Sequence, residues 1–214
     1  MKTFDIITES DARTLDIGAT VELSATGHVT PLARDTLAAR RVTVVRAGSR
    51  DEGLSDLAPA NDIRRVAIGN DHTGVAMKRT LVEYLRRRGI AVTDVGTNNT
   101  DSVDYPDIAA AVAKSVSRGE SDAGIAIDGA GIGSAIAANK VRGIRAAMCS
   151  TETIARYSRE HNGANVLTLG TSLIDSLESA TRIVEVWLTT PMKEARYIRR
   201  LQKIRRLEDR FTQD

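Results

Sequence analysis

From Ile63 onward the chain alternates between two hydrophobic rhythms. Short β-rich apolar runs stand at Arg64–Gly69, Ile90–Gly96, Ala123–Asp128, Ile144–Cys149 and Ala164–Gly170. Between and after them, apolar positions recur at helical spacing over Gly74–Arg88, Tyr105–Arg118, Gly131–Lys140, Thr151–Glu160 and Ile174–Leu188. This alternation predicts an α/β fold, a doubly wound five-stranded parallel sheet with helices on both faces. Gly89, Gly119 and Gly143 fall where helices should stop. Such sheets bind ligands outside the carboxyl ends of their strands, so chemistry is expected just after each apolar run.

The flanks differ in pattern. Residues 1–45 read as a small α/β extension, with strands at Thr3–Thr8 and Val42–Arg46. Its helix spans Thr30–Arg41, with Thr30 as N-cap and Pro31 at the first helical position. Residues 46–62 read as a linker, because Ala47–Asn61 is polar and aperiodic. The main domain then covers 63–190. Residues 191–214 form a basic helix whose apolar positions, Ile198, Leu201, Ile204, Leu207 and Phe211, make a drifting stripe. That stripe calls for a docking surface such as a second subunit.

Composition narrows the function classes. A length of 214 residues with 42% hydrophobic content fits one domain of ordinary size with a small appendage. No apolar run approaches the roughly 20 residues that span a bilayer, so no membrane role is expected. The start, "MKTFDIITESDART", lacks the apolar core of a secretion signal. The single cysteine, Cys149, excludes an internal disulfide and suits a reducing cytoplasm. A net charge of +2 and 3% aromatic residues give little footing for a nucleic-acid partner.

Five places carry polar groups that the fold alone does not require. "GNDHTG" holds Asp71 and His72, and "DSVDYPDIA" holds Tyr105. "GIAIDGAGIGSAIAANK" sets Asp128 before Gly129, Gly131 and Gly133. "REHNGANVL" holds His161 and Asn162, and Arg196 and Arg200 stand four apart on one helical face. Each has a plain structural reading as a turn, a cap or a solvated charge. Glycines at such spacing bring backbone N–H groups toward an anion, which makes the carboxylate of Asp128 the odd member. "GNDHTG" is no dinucleotide fingerprint, which argues against a nucleotide-dependent oxidoreductase.

Taken together, "NDHTG", "SVDYPD", "GAGIGSAIAANKVRGIRAA" and "REHNGANVLTLG" closely resemble the type-B ribose-5-phosphate isomerases, whose wider family includes galactose-6-phosphate isomerase subunits. The resemblance runs from about Arg64 to Ile204. It implies a Rossmann-like sheet and homodimers or dimers of dimers whose active sites are shared between subunits. It further implies interconversion of a phosphorylated aldose and ketose through an enediolate, with no metal and no cofactor, ribose 5-phosphate being the first substrate to expect. Carried over residue by residue, His161 opens the sugar ring, assisted by Tyr105. Asp71 holds sugar hydroxyls and Asn162 polarises the reacting oxygens. His72, Arg196 and Arg200 grip the phosphate, and the Gly129–Gly133 loop aims its N–H groups at the enediolate oxygen.

The chain departs from the family at several of these positions. Asp128 stands where the family commonly has the Cys that shuttles the proton, and Ser134 stands where some relatives use a Glu instead. A positioned carboxylate at 128 fits the same role of proton-transfer base. Cys149 is expected to be a buried core residue. Ala130 replaces a frequent Thr, and Ser172 a frequent phosphate-binding Arg. These changes bring in two alternatives: another substrate such as a tetrulose phosphate, or a catalytically silent sugar-phosphate-binding assembly component. Residues 1–45 are similar to short N-terminal segments on enzymes of bacterial microcompartments, which suggests shell or cargo partners. The motifs begin only after residue 61, so residues 1–61 are expected to be dispensable for chemistry.

Overall fold

The protein is described from a computed structural model that covers residues 3–46, 57–60, 62–192 and 194–211. It forms two compact units, Met1–Ser55 and Asp56–Asp214. Residues 47–56 and 61 of the expected linker lie outside the described residues.

The first unit runs β1 (Thr3–Ile7), α1 (Glu9–Thr14), β2 (Thr20–Val29), α2 (Pro31–Ala39) and β3 (Thr43–Arg46). Its three strands are parallel in the order β1-β2-β3 and share a core of Ile7, Ala12, Leu15, Val21, Leu23, Ala33 and Leu37. Helix α1 and strand β2 are additions to the sequence expectation. The helix is too short to show a period and is started by a capping box, in which Asp11 N–H donates to Thr8 Oγ1 and Thr8 N–H donates to Asp11 Oδ2. The strand hides because its register with β1 shifts between the pairs Phe4↔Leu23 and Ile6↔His28, which breaks its alternation. Thr30 is the N-cap of α2 but makes no side-chain cap bond, so the fixed φ of Pro31 sets the entry.

The second unit holds a parallel sheet of five strands: β4 (Arg65–Asn70), β5 (Ala91–Asp94), β6 (Ala123–Asp128), β7 (Ala146–Met148) and β8 (Val166–Gly170), in the order β5-β4-β6-β8-β7. A 3₁₀ turn (His72–Gly74) leads into α3 (Val75–Arg87); the other helices are α4 (Tyr105–Ser117), α5 (Ile132–Ala138), α6 (Glu152–Glu160), α7 (Leu177–Thr189) and α8 (Ala195–Phe211). The doubly wound α/β reading therefore holds. The short strands β5 and β7 are the two edges.

The two faces of the sheet are built from different side chains. Val66, Ile68, Ile125, Ile127, Leu167 and Leu169 pack on α3, α6 and α7, around the fully buried Trp187. Ala67 and Ala126 face α4 and α5, and the glycines of that side let the helix come close. A Cβ at Gly69 or Gly124 would stand 2.6 Å from Ile108 or Val112 of α4. Gly89, Gly119 and Gly143 all have positive φ, as helix-ending glycines do.

The C-terminal helix α8 turns its stripe partly inward: Leu201 is buried with Leu57, Met192 and Tyr197, while Ile204 and Leu207 are about half exposed. The side chain of Phe211 falls outside the described part. Leu57 and its neighbours, read as linker, belong to this second unit.

Candidate active site

At the carboxyl edge, β4 delivers Asp71 and β6 delivers Asp128. The backbone N–H of Asp71 donates to the carbonyl of Ile127 at 3.0 Å, which fixes the two strand ends side by side. Asp71 is buried and its Oδ1 accepts from Thr73 N–H and from Thr73 Oγ1. His72 is half-buried, and its Nδ1 accepts from the N–H of Val103 at 3.4 Å. Tyr105 opens α4 and lays its ring against the glycine loop, so close that a Cβ on Gly133 would lie 2.5 Å from the ring. A side chain at position 133 would therefore have to displace the Tyr105 ring.

Asp128 occupies the centre of the loop it precedes. Its Oδ1 accepts from the N–H of Ala130 at 2.8 Å and from that of Gly131. Its Oδ2 accepts from Ser134 N–H at 3.0 Å and Ser134 Oγ at 2.5 Å. A carboxylate has about four lone-pair sites, and here all four are used. The loop is thus an anion nest, with Gly131 in the left-handed conformation that aims successive N–H groups inward. Its occupant is the protein's own side chain.

His161 stands elsewhere. It caps the C-terminus of α6, which starts beyond the carboxyl end of β7 and returns to the amino edge of the sheet before β8 begins. The rule that strand ends gather the chemistry would set Asp71, Asp128 and His161 together at the carboxyl edge, and within one chain it is corrected for His161. Each helix of a parallel β–α–β unit carries the chain back across the sheet, so a residue ending α6 lies a strand length away, roughly 15 Å. His161 is stacked between Tyr157 and Tyr197, with ring centroids 4.7 and 4.6 Å away. The guanidinium groups of Arg196 and Arg200 lie over the Tyr197 ring at 4.9 and 5.5 Å. Asn162 donates from Nδ2 to the carbonyl of Tyr157. One chain thus separates the candidate residues into two groups, with Asp71, His72, Tyr105 and Asp128 at one edge and His161, Asn162, Arg196 and Arg200 at the other.

The sequence pattern of the family described as Ribose/Galactose Isomerase matches residues 66–204. The chain belongs to this family. Ribose-5-phosphate isomerase B of Escherichia coli (strain K12) is 42% identical over 148 residues, 69% of this chain and 99% of that protein. The solved structure of Clostridium thermocellum ribose-5-phosphate isomerase B superposes with a TM-score of 0.67 at 46% identity, covering 69% of this chain and 99% of that one. A D-erythrulose-4-phosphate isomerase of Pectobacterium atrosepticum is 36% identical over 140 residues, 65% of this chain and 91% of that protein.

Three further residues of this ribose/galactose isomerase domain touch the candidate groups, and only Ser134 among them is singled out in the sequence. Tyr157 precedes His161 by four positions, a spacing that does predict ring contact on a helix. Tyr197 reaches His161 only through the docking of α8, and Ser134 enters as the hydroxyl donor to Asp128.

Cys149 lies in the core beside Ser158 and is fully buried. Burial pushes its thiol up to about 11, so the sulfur stays protonated at neutral pH. The folded protein should resist alkylation by iodoacetamide at pH 7.5, and Cys149→Ala should keep its turnover. Rapid labelling of the native protein, followed by mass spectrometry, would contradict this.

Proposed function

We propose that this chain is a cofactor-free aldose–ketose isomerase that converts ribose 5-phosphate to ribulose 5-phosphate through an enediolate. The observation that carries this reading is the anion nest after β6, where three backbone N–H groups converge on a carboxylate beside Asp71 and Tyr105. An isomerase of this kind needs donors for a developing oxyanion and a base within reach of the adjacent carbon. The nest and Asp128 supply both, in turn. In this reading the substrate oxygen takes over the N–H groups of Ala130, Gly131 and Ser134 and frees lone pairs on Asp128. Asp128 then removes the proton from C2, the charge passes to O1 of the former aldehyde, and the same carboxyl returns the proton to C1. Proton exchange between O2 and O1 completes the ketose with no net change in atoms.

The second half-site arrives from another copy of the chain. His161 opens the ring with Tyr105 assisting, Asn162 polarises the reacting oxygens, and Arg196 and Arg200 join His72 on the phosphate. Support comes from the separation of the half-sites within one chain, and from apolar groups left exposed near the nest, Ile132 and Ile136 on α5. A homodimer, or a dimer of dimers, is the arrangement that completes both sites. The first unit contains none of the site residues, which supports a role in assembly or in packaging within a microcompartment.

A coupled assay across four-, five- and six-carbon sugar phosphates tests the reading. Turnover should be highest on ribose 5-phosphate and should survive dialysis against a chelator. Preference for erythrulose 4-phosphate would favour the second reading, a tetrulose-phosphate isomerase, which the Pectobacterium relative and the absence of an Arg at Ser172 support. Binding without turnover on any of them would mark a silent sugar-phosphate binder.

A further inference from the structure

Two arginines of the isomerase unit spend their donors on a segment that lies before the matched family region. Arg159, on α6, is 1% exposed, and among the described residues it forms no ion pair with a carboxylate. Its guanidinium lies over the ring of Trp187 at 4.8 Å and donates to the carbonyls of Ala164 and Ala60, both at 2.8 Å. Burial, and then the nearby charge of Arg145, lowers it to about 10, so it remains a cation at neutral pH. Arg145 donates to the carbonyls of Gly163 at 2.8 Å and Leu57 at 3.0 Å. Each arginine therefore joins the loop after His161 to the segment 57–60.

Side chains of that segment reinforce the join. Leu57 is buried against Met192, Tyr197 and Leu201. A Cβ built on Gly163 would meet Leu201 at 2.7 Å, Met192 at 3.2 Å and Pro59 at 3.4 Å, so the loop is closed over by α8 and by the segment together. Tyr197 in turn stacks on His161 and underlies Arg196 and Arg200. The family match begins only at residue 66.

We infer that Leu57–Ala60 is a positioning strap that sets the His161–Asn162 loop and the first turns of α8 in their working geometry. The inference rests on the isomerase reading for its kinetic consequence but not for its structural one. The carbonyl of Ala60 is one of two that accept from the buried guanidinium of Arg159, and that of Leu57 accepts from the part-buried Arg145, so releasing the strap leaves a buried cation short of partners and loosens the loop it also holds. In this inference residues 57–60 work with the catalytic unit, against the expectation that residues 1–61 are dispensable for chemistry.

The test uses the full chain with Leu57→Asp, Leu57→Ala and Leu57→Met, read by amide hydrogen exchange and by kinetics. In Leu57→Asp, exchange at Asn162–Ala164 and in the first turns of α8 should rise about tenfold or more, while β4 and β6 stay protected. kcat/KM should fall about 10- to 100-fold, the scale of a small misplacement of reacting groups. Leu57→Ala should show a smaller effect of the same kind if the aspartate variant fails to fold, and Leu57→Met should restore both readouts. Unchanged exchange at Asn162–Ala164 would overturn the strap, as would increased exchange with unchanged kcat/KM. If the wild type turns over no sugar phosphate, the isomerase reading fails and the exchange result alone upholds or overturns the hold on the loop.

Discussion

Asp128→Asn should lower kcat by about 10²- to 10⁴-fold, the usual cost of losing a general base. Affinity for a sugar phosphate should stay within a few-fold of wild type, because His72, Arg196 and Arg200 are untouched. The substitution separates the proposed base role of Asp128 from the loop-holding contacts that the structure shows. The amide oxygen can still accept from the N–H groups of Ala130 and Gly131, as Oδ1 of Asp128 does. The amide nitrogen cannot accept from Ser134, whose N–H and Oγ both point at Oδ2. Rotating the Ser134 hydroxyl relieves one of those contacts, so the nest should persist with a loss on the order of 1–2 kcal/mol in stability. Steady-state kinetics with calorimetric binding checks the pair of outcomes. A rate near wild type would assign Asp128 to holding the loop and move the proton transfer to another group. Asp128→Cys restores the group common in the family and does not fill the nest as a carboxylate does, so it should retain activity. Its pH profile should follow a thiol, which ionises near about 8.5, rather than a carboxylate near about 4.

Two inactive chains should restore one another. Asp128→Asn damages the half-site at the carboxyl edge, and His161→Ala damages the one at the amino edge. Each homodimer then has no intact site. In a heterodimer of the two, one site combines both lesions and the other is wild type throughout. Co-expression with two affinity tags and tandem purification should give a species with about half the wild-type turnover, since one of two sites in a symmetric pair is whole. Against parents reduced by about 10²-fold or more, that is a rise of at least tens of times. A heterodimer as inactive as its parents would mean that each chain builds its own site, and the separation of His161 from Asp128 would then need a different explanation.

The fold of the second unit was legible because β4, β6 and β8 are covered on both faces. Strands in that position must be apolar almost throughout, so their runs are visible without any partner. The glycines at 89, 119 and 143 were legible for a similar reason: a helix stop in the left-handed region is a property of one residue and its immediate neighbours. The candidate residues could be named from their motifs, and Asp71 and Asp128 could be placed at the carboxyl edge by the rule that strand ends carry chemistry. Strand β2 was hidden, because its pairing depends on a register shift against β1 that leaves no period in its own residues.

Which of the candidate groups lie together within one chain was settled in three dimensions. His161 ends an amphipathic helix much as Asp128 ends an apolar strand, yet α6 runs back across the sheet and places it at the opposite edge. The filling of the glycine loop by Asp128 depends on where two carboxylate oxygens fall relative to three N–H groups, a matter of tenths of an ångström that residue types do not record. The strap depends on carbonyls at Leu57 and Ala60 meeting arginines 88 and 99 positions later. Periodicity along a chain reports which side of an element is buried, because burial repeats with the element's own geometry. Backbone hydrogen-bond direction and the meeting of distant segments do not repeat, so they emerge only when the sheet, its helices and the segments around them have closed on one another.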